Sequence, residues 1–222
     1  MTPALVLFDL DGTLVDTAPD IARALGVALA GTGVPPLSLG TVKQMVGDGA
    51  RELIRRALAA APSDPAEEEA AFGRFLASYR QNLCVASQLY PGVVEGLAAL
   101  RSDGTALAVV TNKPGDLART LLGALGIAAR FDAIIGDGDG FPRKPDPAAA
   151  LSILSGAGAS SEQAVVVGDG LPDMRLARTL GATGIAATWG YVSMSALNDE
   201  RPAYVAGSFD EAMSIIRGAS PG

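Results

Sequence analysis

The sequence predicts an α/β fold in which helices flank a parallel β-sheet, with an all-helical domain inserted after the first strand. Two observations predict it. Short apolar runs, typical of strands buried on both faces, alternate with segments of helical periodicity. The interval between the first two apolar runs is far longer than a single crossover helix needs. Regular alternation of strand and helix is typical of α/β proteins.

Each apolar run ends in polar or glycine residues, as expected of a strand that runs into a loop. The predicted strands are residues 4–8, 106–110, 133–135, 164–167 and 184–187. Segments with helical spacing lie between them, and a glycine follows each within a few residues, as helix ends commonly require. These predicted helices are residues 93–100, 117–125, 147–154 and 171–180.

The delay between the first strand and residue 106 predicts an inserted all-helical domain that spans residues 17–87. Apolar residues recur inside it at helical spacing, and glycine and proline mark the turns between the helices. The predicted helices of the insertion are residues 21–29, 50–61 and 67–83, and its turns are 31–40 and 62–65.

The composition of the 222 residues excludes several kinds of chemistry. The chain has no histidine and one cysteine, Cys84, which excludes histidine-based catalytic triads, internal disulfides and multi-cysteine zinc sites. Nucleophilic and acid–base chemistry must therefore use carboxylates, lysines, hydroxyls or the lone thiol. A metal ion would be bound by oxygen atoms.

Charge and hydropathy limit the partners. The net charge is −7, and Lys43, Lys113 and Lys144 are the only lysines, which argues against a nucleic-acid surface. No apolar run approaches the length of a membrane span, and the N-terminus lacks the basic flank of a signal peptide. We expect a cytoplasmic protein that binds a small anionic molecule through local cations. The sequence leaves the oligomeric state open.

The clearest chemical signal is the segment Asp9-Leu10-Asp11-Gly12-Thr13, which directly follows the first predicted strand. In this position Asp9 and Asp11 can point into one crevice at the carboxyl edge of the sheet. A simple turn is the alternative, since Asp-Gly is a common turn pair. Two further strand ends favour the chemical interpretation, because parallel strands bring their carboxyl ends together. Their polar residues are Thr111 and Asn112 after the second strand, and Asp169 and Asp173 after the fourth.

These motifs resemble those of a known superfamily. Asp9-x-Asp11-Gly12-Thr13, Thr111, Lys144 and Gly168-Asp169-x-x-x-Asp173 occur in this order and resemble the four motifs of the haloacid dehalogenase superfamily. The resemblance spans nearly the whole chain, and the long insertion is similar to a helical cap of that superfamily. It implies a Rossmann-like catalytic core, residues 1–16 and 88–222, and a cap domain, residues 17–87.

The resemblance further implies a phosphatase that depends on Mg²⁺. Asp9 would be the nucleophile that forms an aspartyl-phosphate, and Asp11 would be the general acid and base. Asp9, the backbone carbonyl of Asp11, and Asp169 would bind Mg²⁺, which prefers oxygen ligands. Asp173 would be an outer-shell residue that orients these ligands. Lys144 would neutralise part of the phosphate charge.

The predicted phosphate site uses neutral donors as well as Lys144. Thr111 would donate its hydroxyl proton, while Asn112 and Gly12 would donate backbone N–H groups. For a lone threonine or asparagine, capping of a helix is the alternative role. Lys144 lies between Arg143 and two prolines, Pro145 and Pro147, which fix the loop before a helix.

Residues 45–58 resemble the substrate-facing cap segment of bacterial phosphoglycolate phosphatases, as do residues 89–93 and 110–114. Gly170 departs from that family, which usually carries serine there. The resemblance makes 2-phosphoglycolate the leading substrate. Gly47 and Gly49 permit a close backbone approach, and the N–H groups of the helix that begins near residue 50 could bind its carboxylate. Arg56 would add positive charge, with a salt bridge to Glu52 as the alternative.

Other activities stay open at this point. A dehalogenase is disfavoured by Asp11, Asp169 and Asp173, which it does not need. The remaining enzymatic alternatives are hydrolysis of pyrophosphate or another small phosphomonoester, a β-phosphoglucomutase-like isomerase, and a phosphonate hydrolase that would use Lys43. A non-catalytic binding protein of the same fold is the last alternative, and it is disfavoured because every catalytic position is filled.

Overall fold

The computed structural model describes residues 2–59 and 65–218, and its centre is a six-stranded parallel sheet. The strands of this sheet are Leu5–Phe8 (β1), Ala106–Pro114 (β4), Ala133–Asp137 (β5), Ala164–Gly168 (β6), Thr183–Ala187 (β7) and Tyr204–Ala206 (β8). Their spatial order is β5-β4-β1-β6-β7-β8. Two short strands, Val15–Asp16 (β2) and Gln88–Leu89 (β3), form a separate antiparallel pair.

In the part of the chain that the structure describes, four α-helices lie between β2 and β3, and six follow β3. The first group is Ala18–Ala28 (α1), Leu39–Met45 (α2), Ala50–Leu58 (α3) and Pro65–Gln81 (α4), which we call the cap helices. The second group is Val93–Ser102 (α5), Gly115–Ala124 (α6), Ala148–Ala157 (α7), Leu171–Leu180 (α8), Met194–Asp199 (α9) and Phe209–Ile216 (α10). Short 3₁₀ turns occupy Ala128–Arg130 and Ser161–Gln163. Within the described ranges, no helix is both long and apolar enough to cross a membrane.

The predicted fold class is confirmed, and the differences concern short elements. All five predicted strands are present, whereas the sequence reasoning missed β8, the β2/β3 pair, α2, α9 and α10. A strand of two or three residues is too short to show a periodic pattern. The predicted turn 31–40 is wrong at its end, because helix α2 begins at Leu39. Ser38 caps this helix, since its hydroxyl accepts a hydrogen bond from the N–H of Thr41 at 3.1 Å. The predicted turn 62–65 and the end of the predicted helix 50–61 lie outside the described residues, except that Pro65 begins α4.

The central strand β1 is buried on both faces, which explains its uninterrupted apolar sequence. Leu5 and Leu7 pack on the side of α7 and α8, while Val6 and Phe8 face the opposite layer. Phe8 stacks on Phe209 of α10 with ring centroids 5.9 Å apart. Complete burial of each such side chain contributes roughly 1.5–3 kcal/mol. Asp9 directly follows this buried strand.

The chain crosses between the sheet layer and the cap helices twice, and the two crossings lie side by side. Val15 and Asp16 pair with Leu89 and Gln88 in the β2/β3 ladder. The carboxylate of Asp20, in the first turn of α1, accepts hydrogen bonds from three successive backbone N–H groups of the second crossing. Their donors are Val85, Ala86 and Ser87, with distances of 2.9–3.1 Å. The boundaries of the cap domain at residues 17 and 87 stay a prediction, but both adjoin this paired region.

Candidate active site

The carboxyl edge of the sheet brings the sequence motifs together. Phe8, the last residue of β1, aligns with Val109 of β4 on one side and with Val167 of β6 on the other. The residues that follow these positions therefore share one edge, as predicted for a parallel sheet. Asp9 is anchored there by its N–H, which donates to the carbonyl of Val167 at 3.0 Å.

Lys144 lies between two carboxylates at this edge. Its Nζ atom is 2.8 Å from Oδ1 of Asp9 and 2.6 Å from Oδ1 of Asp173. Burial favours the neutral amine and would lower the pKa of Lys144, but the negative charges of Asp173 and Asp9 outweigh burial and raise it. Lys144 therefore stays protonated and supplies a fixed positive charge beside Asp9.

Asp9, Asp169 and Asp173 form a buried cluster whose carboxylate oxygens lie within 4.8 Å of one another. Burial and the negative charge of Asp9 raise the pKa of Asp169 to about 8. Burial is the larger of these two causes, and repulsion from the Asp9 carboxylate adds to it. An all-oxygen set with excess negative charge fits a hard divalent cation. The cluster contains two of the predicted Mg²⁺ ligands, Asp9 and Asp169, and the predicted outer-shell residue Asp173.

The side chain of Asp169 is held on both oxygens. The hydroxyl of Thr13 donates to Oδ1 at 2.8 Å, and the N–H of Tyr191 donates to Oδ2 at 2.8 Å. Gly12 leaves the space that this carboxylate occupies, since a Cβ there would lie 2.2 Å from Oδ2. Its φ of +87° is also a conformation that favours glycine. The N–H of Gly12 was expected to face a phosphate, but it donates to the carbonyl of Val15 at 2.8 Å and so serves the turn.

Thr111 and Asn112 differ in how their side chains are used. The hydroxyl of Thr111 accepts the N–H of Lys113 at 3.2 Å, which leaves its proton able to donate. The amide of Asn112 binds the backbone of Lys144 in both directions, at 2.8 Å and 3.2 Å, and also donates to the carbonyl of Gly47 at 3.0 Å. Asn112 thus fixes the Lys144 loop to β4, and phosphate binding by its backbone N–H stays a prediction.

Asp11 is paired with a second buried lysine. Nζ of Lys113 lies 2.9 Å from Oδ1 and 3.2 Å from Oδ2 of Asp11. The hydroxyl of Thr17 donates to Oδ1 at 2.7 Å. Each carboxylate of the Asp9–Asp11 motif therefore has its own lysine, Lys144 for the first and Lys113 for the second.

A small cleft of about 40 Å³ separates the sheet edge from the cap helices. Its floor is polar and comprises Asp9, Asp11, Thr111, Asn112 and Lys113. Its walls are mainly apolar and include Ile21, Val46, Leu53, Phe75, Pro114 and Leu117. Gly47, Gly49 and Ala50 close the cleft at the start of α3. Apolar walls with a few polar groups at the floor are typical of small-molecule sites.

The loop before α3 is in direct contact with the sheet layer. Gly47 and Gly49 have φ values of +127° and +95°, as their proposed close approach requires. A Cβ on Gly49 would lie 2.7 Å from Nη1 of Arg143, which itself donates to the carbonyl of Asp48 at 2.9 Å. The structure therefore shows the cap helices closed over the motif residues.

Comparison with known proteins agrees with this geometry. A family model described as haloacid dehalogenase-like hydrolase matches residues 6–187. The chain belongs to the haloacid dehalogenase-like hydrolases. The predicted resemblance and the enzyme class, a phosphoric monoester hydrolase, are thereby confirmed.

The relatives of this haloacid dehalogenase-like hydrolase include several phosphatases. Phosphoglycolate phosphatase 1 of Pseudomonas aeruginosa is 40% identical over 208 residues, which cover 91% of this chain and 76% of the relative. A phosphoglycolate phosphatase of Caulobacter vibrioides is 40% identical over 190 residues, 85% of this chain and 80% of the relative. The crystal structure of a predicted phosphoglycolate phosphatase from Haemophilus somnus 129PT superimposes with a TM-score of 0.89 at 32% identity, covering 97% of this chain and 98% of that one.

Arg56 of this haloacid dehalogenase-like hydrolase does not lie where the sequence predicted. It is absent from the described residues that line the cleft, and it binds Asp48, the carbonyl of Met45 and, at 3.0 Å, Glu52. The salt-bridge alternative for Arg56 is the one that the structure shows. The helical spacing indicated the Glu52 contact, whereas the folding of the preceding loop onto Arg56 was not visible in the sequence.

Lys113 and Tyr79 are two polar residues of the hydrolase cleft to which the sequence reasoning gave no role. Lys113 lies two residues after Thr111 on the same strand, and alternation along a strand places the two on one face. With only three lysines in the chain, that spacing was a usable signal. Tyr79 follows Phe75 at helical spacing on α4, which predicts burial but not a contact with the sheet edge.

Proposed function

We propose that this hydrolase removes the phosphoryl group of 2-phosphoglycolate in a Mg²⁺-dependent reaction through an aspartyl-phosphate on Asp9. The observation that carries the proposal is that Asp9 and Asp11, at the floor of one closed cleft, are each paired with a separate buried lysine. Residues 1–16 and 88–222 would supply the chemistry, and residues 17–87 would supply selectivity. The names of the relatives support phosphoglycolate as the substrate.

In the proposed first step a carboxylate oxygen of Asp9 forms a bond to phosphorus, in line with the bond that breaks to the leaving oxygen. The leaving oxygen takes that bond's electron pair and a proton from Asp11, so that glycolate departs as a neutral alcohol at this oxygen. Lys144 and the hydroxyl of Thr111 bind the transferring phosphoryl oxygens. In the second step Asp11 accepts a proton from the water that attacks phosphorus, which restores Asp9 and releases phosphate.

The residues that would hold Mg²⁺ are Asp9, the backbone carbonyl of Asp11, and Asp169, with Asp173 orienting the site. When bound, the cation would reduce the repulsion between the attacking carboxylate and the phosphate dianion. The protein contributes the fixed geometry of the cluster, since Thr13 and Tyr191 already hold both oxygens of Asp169.

The cleft favours a small leaving group that carries a carboxylate. Gly49 and Ala50 at the start of α3 line the cleft, and because the first N–H groups of a helix have no partner within it, a carboxylate is favoured there. The apolar walls disfavour a sugar phosphate, because its hydroxyls would lose hydrogen bonds to water without replacement. This observation favours a phosphatase over a β-phosphoglucomutase-like isomerase.

The test is release of inorganic phosphate from 2-phosphoglycolate, ethyl phosphate, pyrophosphate and several sugar phosphates by the purified protein with Mg²⁺. We expect kcat/KM for 2-phosphoglycolate to exceed that for ethyl phosphate, which has a leaving group of similar length without the carboxylate. A higher kcat/KM for pyrophosphate or a sugar phosphate would contradict the proposed substrate.

Asp9→Asn tests the proposed nucleophile. The amide is nearly the same size but neutral and non-nucleophilic, so we expect kcat to fall by about 1000-fold or more. The measurement is phosphate release at saturating substrate, with thermal unfolding as the check that the variant folds. A variant that keeps a tenth of the wild-type rate would show that another residue attacks phosphorus.

A further inference from the structure

Lys113 links the proposed acid–base residue to the cap helices. Its Nζ atom contacts both carboxylate oxygens of Asp11 and lies 2.6 Å from the hydroxyl oxygen of Tyr79 on α4. The ammonium group has three protons, and these three contacts are enough to use them all. Asp11 and Lys113 belong to the sheet layer, whereas Tyr79 belongs to a cap helix. The ammonium group of Lys113 is therefore a buried contact between the sheet layer and the cap helices.

Because these three side chains are buried, Lys113 depends on its two partners for hydrogen bonds. The side chains of Lys113 and Asp11 are 3% and 11% exposed, and Tyr79 is 2% exposed. A buried ammonium group costs several kcal/mol unless its protons are bound. Removal of one partner would therefore force Lys113 to move, and Asp11 would lose its two contacts with it. Among the described residues that line the cleft, Lys113 is also the only cation.

We propose that Lys113 is a positioning residue for the carboxylate of Asp11, and that Tyr79 completes this position only when α4 lies closed over the sheet edge. Closure of the cap helices thereby aligns the acid–base group with the leaving oxygen before phosphoryl transfer. The inference rests on the proposed function of Asp11. Lys113 itself touches no reacting atom in this scheme.

Three variants test the inference: Lys113→Met, Tyr79→Phe and Asp11→Asn, with Tyr204→Phe as the matched control on an exposed tyrosine. Each is assayed with 2-phosphoglycolate, whose alkoxide leaving group needs a proton, and with 4-nitrophenyl phosphate, whose phenolate needs little help. Thermal unfolding checks the fold of each variant. The quantity compared is kcat/KM, which reports the step that breaks the bond to the leaving group.

We expect Lys113→Met to lower kcat/KM for 2-phosphoglycolate by about 10- to 1000-fold, within the range that general acid catalysis contributes, and to lower it much less for 4-nitrophenyl phosphate. Tyr79→Phe should show the same bias with a loss of about 3- to 10-fold, since only one contact of Lys113 is removed. Tyr204→Phe should change neither value. If Lys113→Met does not fold, the comparison of kcat/KM on the two substrates is made with Tyr79→Phe and its control.

A double variant separates positioning from a merely structural role. If Lys113 acts through Asp11, then Asp11→Asn combined with Lys113→Met should be no slower than Asp11→Asn alone, because residues that act as one unit are not additive. Equal losses on both substrates, or losses that multiply in the double variant, would overturn the inference. Failure of the wild type on 2-phosphoglycolate would overturn the proposed substrate alone, since any alkyl phosphate that it hydrolyses serves the same comparison.

Discussion

Gly12 shows how one residue without a side chain determines the geometry of the site. Its Cα faces the carboxylate of Asp169, and its backbone has a positive φ. Gly12→Ala would place a methyl group where Oδ2 of Asp169 lies. Either the turn or the carboxylate must then move, so the proposed metal cluster loses its shape.

We expect Gly12→Ala to lower kcat by about 100-fold or more and stability by about 1–3 kcal/mol. Phosphate release and thermal unfolding measure the two effects. Gly26→Ala is the matched control, because Gly26 lies within α1 with nothing within 4 Å of its added Cβ. It should gain up to about 1 kcal/mol from higher helix propensity and keep its activity. Wild-type activity in Gly12→Ala would contradict the proposed role of Asp169.

At the scale of elements, α3 contributes through its N-terminus and through the loop that Arg56 holds. Arg56→Ala removes the bonds to Glu52, Asp48 and the Met45 carbonyl, all of which lie within the cap. We expect kcat/KM to fall by similar factors for 2-phosphoglycolate and ethyl phosphate, with a stability loss below about 1 kcal/mol because the pairs are partly exposed. A fall in kcat/KM that is confined to 2-phosphoglycolate would instead indicate that Arg56 binds the substrate carboxylate.

The Asp20 carboxylate connects α1 to the second crossing of the chain. Burial alone would raise the pKa of Asp20, but hydrogen bonds from the Ser87 hydroxyl and from the N–H groups of Ala86, Ser87 and Val85 outweigh burial and lower it. A lowered folded-state pKa stabilises the protein above the unfolded value of about 3.9, and this contribution is lost as pH falls through the folded pKa. Asp20→Ala removes the acceptor of the buried Ser87 N–H and of the more exposed N–H groups of Val85 and Ala86.

We therefore expect Asp20→Ala to destabilise the protein by about 2–3 kcal/mol at pH 7. The difference between wild type and variant should shrink as the pH falls below about 4, because the wild type loses the charged acceptor there. Urea unfolding at several pH values measures both effects. A difference that does not depend on pH would show that the Asp20 charge contributes nothing to stability.

Sequence reasoning succeeded for elements and motifs whose signal is local. The buried strands have continuous apolar runs, and the positions of Asp9, Thr111 and Asp169 follow from the strand ends. It could not find the contact between Tyr79 and Lys113, because the orientation of α4 against the sheet depends on the packing of the whole cap. The sequence also could not show that the N–H of Gly12 donates to the carbonyl of Val15, because this hydrogen bond depends on the turn geometry rather than on residue type.

At the scale of the whole molecule, the buried carboxylates of the cluster repel one another, and a bound cation would reduce this repulsion. As proposed, Mg²⁺ would bind the folded state and not the unfolded chain, so it should raise the midpoint of thermal unfolding. We expect about 3 kcal/mol of added stability when Mg²⁺ is present at 100 times its Kd. Excess chelator should reverse the shift and abolish phosphate release.

Asp169→Asn is the matched variant for this measurement, because the amide keeps the size of the side chain and removes its charge. It should show a much smaller shift of the midpoint with Mg²⁺ than the wild type. A full shift in this variant, or full turnover in excess chelator, would contradict the proposed metal site.

The adjacent crossings of the chain also affect the entropy of folding. Because the β2/β3 ladder places Asp16 opposite Gln88, the intervening residues form a closed loop whose ends are fixed side by side. The entropy lost on closing such a loop grows only with the logarithm of its length, about 0.6 kcal/mol for each doubling. The sheet and its flanking helices can therefore carry a long or a short insertion at nearly the same conformational cost. The cap helices are thus free to vary in size and sequence while the residues beneath them keep their geometry.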